Sequence, residues 1–154
     1  MSHQETHAFG GRKSQPPRYR FEAADYEQFH VIAVTSGKLM FSSAGRTTGI
    51  HPGGIALLRA GSAFHLWTEE EGYEGVCFVA TGSDRPEYRG PAVALQADGV
   101  ARAIISLMER EARNPAAGSA EVLQSLGRAL GWQAIRLGLE TGRRSGRERE
   151  ARHW

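Results

Sequence analysis

The chain has 154 residues, 40% of them hydrophobic and 23% charged, with a formal net charge of +2 and one cysteine, Cys77. This composition fits one globular domain with a core of its own; it argues against a disordered or fibrous chain, and a lone cysteine excludes an internal disulfide framework. No apolar run approaches the roughly 20 residues of a membrane helix, and the polar residues 1–11 lack the apolar centre of a secretory signal, so a cytoplasmic protein with no membrane partner is expected.

Residues 1–17 read as a flexible arm, carrying the Gly10-Gly11 pair, Pro16-Pro17 and only Phe9 as an apolar anchor. Such an arm is disordered on its own, or closes over a bound ligand with Phe9 as the plug. Between residues 18 and 29 the alternation of Tyr19, Phe21 and Tyr26 predicts a first strand and a bend near residues 23–25. Short apolar runs follow at residues 30–34, 39–43, 46–50, 55–58, 63–68 and 75–80, broken by glycine-centred turns such as Ser36-Gly37, Ala44-Gly45 and Pro52-Gly53-Gly54. Glycine supplies the positive φ of tight hairpins, so evenly spaced strands and turns predict an all-β barrel or sandwich.

Strand periodicity sorts the side chains into two faces. His30, Ile32 and Val34 share one face of their run, Val31 and Ala33 the other; Phe64 and Leu66 oppose Ala63, His65 and Trp67. Both faces are apolar, as when one lines a cavity and the other lies under helices, and alternation alone does not choose between them. His65 and Trp67 are expected to pack under the helices.

After a polar linker at residues 83–90, closed by Pro91, the pattern turns helical. Val100, Ile104, Leu107, Met108 and Ala112 fall at helical spacing behind an Asp98 cap, and Asn114-Pro115 ends the run. Ser119 is placed to cap a second helix with the stripe Val122, Leu123, Leu126, Leu130, Ala134 and Leu137. Gly127, Gly131 and Gly138 lie on it too; each costs about 1 kcal/mol relative to alanine, so a close neighbour is expected. That neighbour is the first helix, the barrel wall or a second copy of the chain. Residues 142–154 hold five arginines against Glu148 and Glu150, a basic tail on a near-neutral body. No element carries a clustered phosphate-binding face, so no direct DNA reader is expected.

No phosphate loop, dinucleotide fingerprint, nucleophile elbow or zinc pair is present, and no catalytic residue, metal ligand or cofactor is assigned. Residues 69–71 and Glu74 read as a solvated acidic loop, and His51 as a turn residue. His30 stands out because a histidine among apolar strand neighbours needs an internal hydrogen-bond partner or a ligand. Tyr26 and Gln28 share its parity.

The segments His30-Val31-Ile32-Ala33-Val34-Thr35-Ser36-Gly37, His51-Pro52-Gly53-Gly54-Ile55-Ala56-Leu57-Leu58-Arg59-Ala60-Gly61, Phe64-His65-Leu66-Trp67 and Val76-Cys77-Phe78 resemble the cupin-like effector domain of AraC-type transcription regulators. The resemblance covers most of residues 18–141 and implies a mainly β, double-stranded β-helix (jelly-roll) barrel followed by two helices. Cupin metal-ligand positions fall at Ala24, Tyr26, His30 and Phe64, so an ordinary cupin metal site is not expected. By resemblance the cavity holds a small effector, a sugar or a small aromatic molecule. Its walls are Tyr26, Gln28, His30, Phe64, Leu66 and Tyr73, with Arg18 or Arg20 near the mouth and Phe9 on the arm across it. The helical pair is expected to form a homodimer through Leu123, Leu126, Gly127, Leu130, Gly131 and Ala134. DNA would be met only through a domain beyond residues 142–154, which then act as a linker. The alternatives are a stand-alone cupin, either a non-catalytic binder or a metal-dependent enzyme.

Overall fold

A computed structural model describes the backbone of residues 7–152 and the side chains of residues 7–143. The strands are β1 (His7–Gln15), β2 (Arg20–Ala23), β3 (Phe29–Gly37), β4 (Leu39–Ser43), β5 (Arg46–Ile50), β6 (Gly54–Leu58), β7 (Phe64–Trp67), β8 (Tyr73–Thr81) and β9 (Val93–Gln96). Helices α1 (Gly99–Arg113) and α2 (Ser119–Arg152) follow. All pairings are antiparallel, in a five-stranded sheet of order β1-β8-β3-β6-β9 and a four-stranded sheet of order β2-β7-β4-β5. Two face-to-face sheets joined by long crossings make the jelly roll, which the glycine turns permit. In the β4–β5 hairpin, Ala44 and Gly45 both have positive φ (52° and 78°), the backbone of a type I′ turn.

The period of two separates two cores. Ile32, Val34, Ala56, Leu58, Phe64 and Leu66 meet between the sheets. Phe29, Val31, Ala33, Ile55, Leu57 and Phe78 face the other way and pack under the helices. His30 therefore points between the sheets. The helices cover the five-stranded sheet, leaving the outer face of the other sheet to water. His65 is on that face, its ring nitrogen Nε2 2.9 Å from Glu22, and does not pack under the helices as its parity with Trp67 suggested.

Asp98 caps α1 by accepting the Ala101 N–H at 2.9 Å, and its second oxygen accepts a hydrogen bond from the buried Gln133 of α2, also at 2.9 Å. One carboxylate thus starts one helix and fixes the second against it. Ser119 does not cap α2. Its hydroxyl accepts from the Ala116 N–H (2.7 Å) and donates to Glu111 (2.8 Å), tying the α1–α2 turn together, and α2 runs on through the range expected to be a linker. The charged side chains of that range beyond Arg143 lie outside the described residues.

The three glycines of α2 face the barrel. A Cβ on Gly127 would stand 3.0 Å from the Gly10 backbone and from Phe78, one on Gly131 3.0 Å from Phe78, and one on Gly138 2.7 Å from the Tyr88 hydroxyl. Leu130 and Ala134 are fully buried in the same packing, and Leu123 and Leu126 are partly buried against it. The stripe expected to make a dimer is thus consumed within the chain. Among the described residues, the large apolar side chains that these helices expose are Val100, Leu107, Val122, Trp132 and Leu139.

The arm departs most from expectation. Its residues 7–15 form β1, paired along β8 from His7↔Thr81 to Gln15↔Tyr73, while residues 1–6 lie outside the described range. Gly-Gly, Arg, Lys and Ser are poor strand formers, so tertiary pairing overrides propensity here. Gly10 lets α2 approach so closely that a Cβ would meet the Leu123 carbonyl oxygen at 2.2 Å. At the end of β1 the buried Thr68 hydroxyl donates to the Pro16 carbonyl (2.6 Å) and accepts the Tyr19 N–H (2.9 Å), turning the chain from one sheet to the other. β9, which pairs with β6, was also unanticipated. No described helix is long and apolar enough to cross a membrane.

Candidate functional site

Between the sheets a cavity of about 470 Å³ opens beside the β2–β3 connection. Its volume is within the usual range for small-molecule sites. Tyr26 occupies that connection and is held from both sides, its N–H bonded to the Ser62 carbonyl (3.0 Å) and its carbonyl to the Gly61 N–H (2.7 Å). Its ring stands edge-on to Phe64, with centroids 4.9 Å apart, and to Phe21 at 6.0 Å. Backbone and ring together fix where the phenol points.

The Tyr26 hydroxyl donates to Gln28 Oε1 at 2.9 Å and lies 3.1 Å from His30 Nδ1. A phenol has one proton. With that proton on Gln28, the phenolic oxygen accepts from His30 Nδ1–H, and His30 Nε2 carries a lone pair. Nε2 is buried and has no hydrogen-bond partner among the described residues. His30 is 8% exposed, and burial, followed by the positive Lys13, pushes its pKa down to about 3. The imidazole is neutral at physiological pH, and its Nε2 is an unused buried acceptor on a residue that lines the cavity.

Burial also raises the phenols of Tyr19, Tyr26 and Tyr73 and pushes the Cys77 thiol up to about 11, so these groups remain protonated. Cys77 is thereby an inert neighbour and no nucleophile.

Of the side chains named from sequence, Tyr26, Gln28, His30, Leu66 and Tyr73 line the cavity. Phe64 is behind Tyr26 in the inter-sheet core. Arg20 is not at the mouth. In β2 it pairs with Trp67 and opens onto the outer groove beside His65, because Phe21 and Ala23 take the inward parity. Arg18 is exposed, at positive φ (62°), its N–H bonded to the Glu69 carbonyl. Phe9 is no plug either; it is 45% exposed and folds over Gly11 on β1.

Lys13 and Tyr19 belong to the lining and were not anticipated. Lys13 was hidden because residues 7–15 did not read as a strand. Its rarity was a usable signal, since lysine occurs only at positions 13 and 38 against 17 arginines. Among the described residues, no three His, Cys, Asp or Glu side chains gather to hold a metal ion.

The family model of an AraC-like ligand binding domain matches residues 8–130. No curated protein is a sequence match. Among solved structures, the AraC-like transcriptional activator CuxR superposes with a TM-score of 0.56 at 12% identity, covering 83% of this chain and 51% of CuxR. Unsaturated fatty acid-bound ToxT from Vibrio cholerae superposes at 0.51 with 11% identity, covering 88% of this chain and 54% of ToxT. The cupin domain of Schizosaccharomyces pombe Cnp3 reaches 0.44 at 13% identity, over 54% of this chain and 62% of that one. The chain thus spans about half the length of the two regulators, and at these identities the likeness is one of fold. With the family match extending from β1 into α2, the chain belongs to the AraC-like ligand-binding domain family.

Proposed function

We propose that this chain is the sensor half of an AraC-type transcription regulator, in which a small-molecule effector occupies the cavity between the sheets. The observation that carries the reading is His30, which lines the cavity while its buried Nε2 has no hydrogen-bond partner among the described residues. A structural histidine normally satisfies both nitrogens. Aromatic walls with a few convergent polar groups suit a sugar or a small aromatic effector, and ToxT, of similar fold, is described with a bound fatty acid. The role is binding without catalysis, since three of the four cupin ligand positions carry Ala24, Tyr26 and Phe64.

The proposed output is DNA binding by a domain encoded beyond Trp154, in a cytoplasmic protein. The proposed assembly is a homodimer through the outer helical face, where Val100 and Leu107 on α1, and Trp132 and Leu139 on α2, each form an exposed pair seven residues apart. That spacing puts each pair on one side of its helix. Effector would then shift the population of one arrangement of the pair over another.

The test is to read the gene past the codon for Trp154. The proposal expects the frame to continue for roughly 100 residues with two helix-turn-helix patterns. A stop codon directly after Trp154 would overturn the regulator and leave a stand-alone binding protein.

A further inference from the structure

The cavity has polarity. Lys13 enters it from β1, half-buried, and its ammonium makes no ion pair or hydrogen bond among the described residues. The other lysine, Lys38, is neutralised by Glu69 at 3.0 Å. An unpaired ammonium partly withdrawn from water is costly unless an anion meets it. His30 lines the same cavity from β3 beside Tyr26 and Gln28, and its buried Nε2 has no hydrogen-bond partner among the described residues.

The backbones that carry the two groups are well separated, although the Lys13 charge still acts on His30. β1 and β3 flank β8, so their backbones are about 10 Å apart. Lys13 pairs with Gly75 and His30 with Val79, four residues or about 13 Å further along β8. Asp25 and Glu27, exposed on the β2–β3 connection just before β3, line the His30 end. The acceptors therefore come from strand positions on one side and the one cation of the lining from the other, with Phe21, Tyr19 and Tyr73 among the walls.

We infer that the cavity selects a small monocarboxylic acid with a hydroxyl or N–H donor at its far end, the carboxylate meeting Lys13 and the donor meeting His30 Nε2. This rests on the effector-binding reading above and narrows it: a neutral sugar leaves the ammonium unpaired, and an acid lacking the distal donor leaves Nε2 unpaired. The acid end enters away from Asp25 and Glu27, so these carboxylates favour one orientation of the ligand.

The experiment is calorimetric titration of the whole chain with 4-hydroxyphenylacetate, its neutral analogue 4-hydroxyphenylacetamide, phenylacetate and L-arabinose. The wild type should bind 4-hydroxyphenylacetate roughly tenfold or more tightly than any of the other three, because the amide and the sugar lose the charge-assisted bond to Lys13 and phenylacetate leaves the buried Nε2 unpaired. Lys13→Met should abolish the preference for acid over amide, and Lys13→Arg should restore most of it. Circular dichroism of each variant keeps misfolding separate from lost selectivity. Equal affinity for acid and amide in the wild type, or an acid preference that survives Lys13→Met, overturns charge selection while leaving the cavity a binding site. If the amide or L-arabinose binds and the acid does not, charge selection fails in the same way. Binding of none of the four overturns this inference as well.

Discussion

The hydroxyl of Tyr26 stands 3.1 Å from His30 Nδ1 while donating its only proton to Gln28, and this one contact sets the tautomer of the histidine. It makes Nδ1 the protonated nitrogen and leaves the buried Nε2 as the acceptor. Tyr26→Phe should keep the ring packing against Phe64 but leave Nδ1–H and the Gln28 amide oxygen without their partner. The expected loss is about 1–3 kcal/mol of unfolding free energy in a urea titration, with an unchanged slope. A variant as stable as the wild type would remove the hydrogen-bond chain from the account.

The buried neutral histidine also makes a prediction in pH. The folded-state pKa of about 3 is below the ordinary value of 6.5, so between those values the unfolded chain binds the proton and the native chain does not. Stability from this group is whole above pH 6.5 and falls as pH falls, by up to about 1.4 kcal/mol per unit. His30→Gln should flatten the unfolding free energy against pH by one proton between pH 4 and 6. A slope identical to wild type would place the titration elsewhere.

Helix α2 lies against the barrel only because glycine stands at the contacts. Gly131→Leu would drive a side chain into Phe78 and Phe29, with a Cβ already 3.0 Å and 3.2 Å from their rings. Overpacking of this kind costs roughly 1–3 kcal/mol, so a melting temperature several degrees lower is expected. An unchanged melting temperature would contradict the packing.

On the exposed side of the same helix, Trp132→Glu should leave the melting temperature of dilute protein nearly unchanged, because the ring is 46% exposed. If the proposed dimer forms through this face, light scattering should report a dimer for the wild type and a monomer for the variant; a monomeric wild type would overturn the dimer. A dimeric mass for the variant would move the interface away from this face.

The sequence made the body of the barrel legible because period and punctuation agree there. Residues 39–43 and 46–50 coincide with β4 and β5, and the Ala44-Gly45 turn between them has the backbone its residues favour. Asp98 was legible as a cap for the same local reason. What escaped depends on distant partners. β1 is held by the edge of β8 and by Gly10 under Leu123, and nothing within residues 7–15 announces either. β9 is four residues long and half of its positions are held by small or polar side chains. The site divides along the same line: Tyr26, Gln28 and His30 share a parity within one segment, whereas Lys13 joins them only through sheet pairing. Arg20 could be placed only once the pairing of β2 with β7 fixed its parity outward.

The most direct test of the effector cavity is the melting temperature of the chain across a panel of monosaccharides and small aromatic acids, for wild type and for His30→Ala. At 100 times its dissociation constant an effector adds about 2.7 kcal/mol, or roughly 5–10 °C for a domain of this size. The account predicts that a member of the panel produces such a shift in the wild type and that His30→Ala loses most of it while remaining folded. A shift of full size in His30→Ala, or a panel that moves neither protein, would contradict an effector site between the sheets.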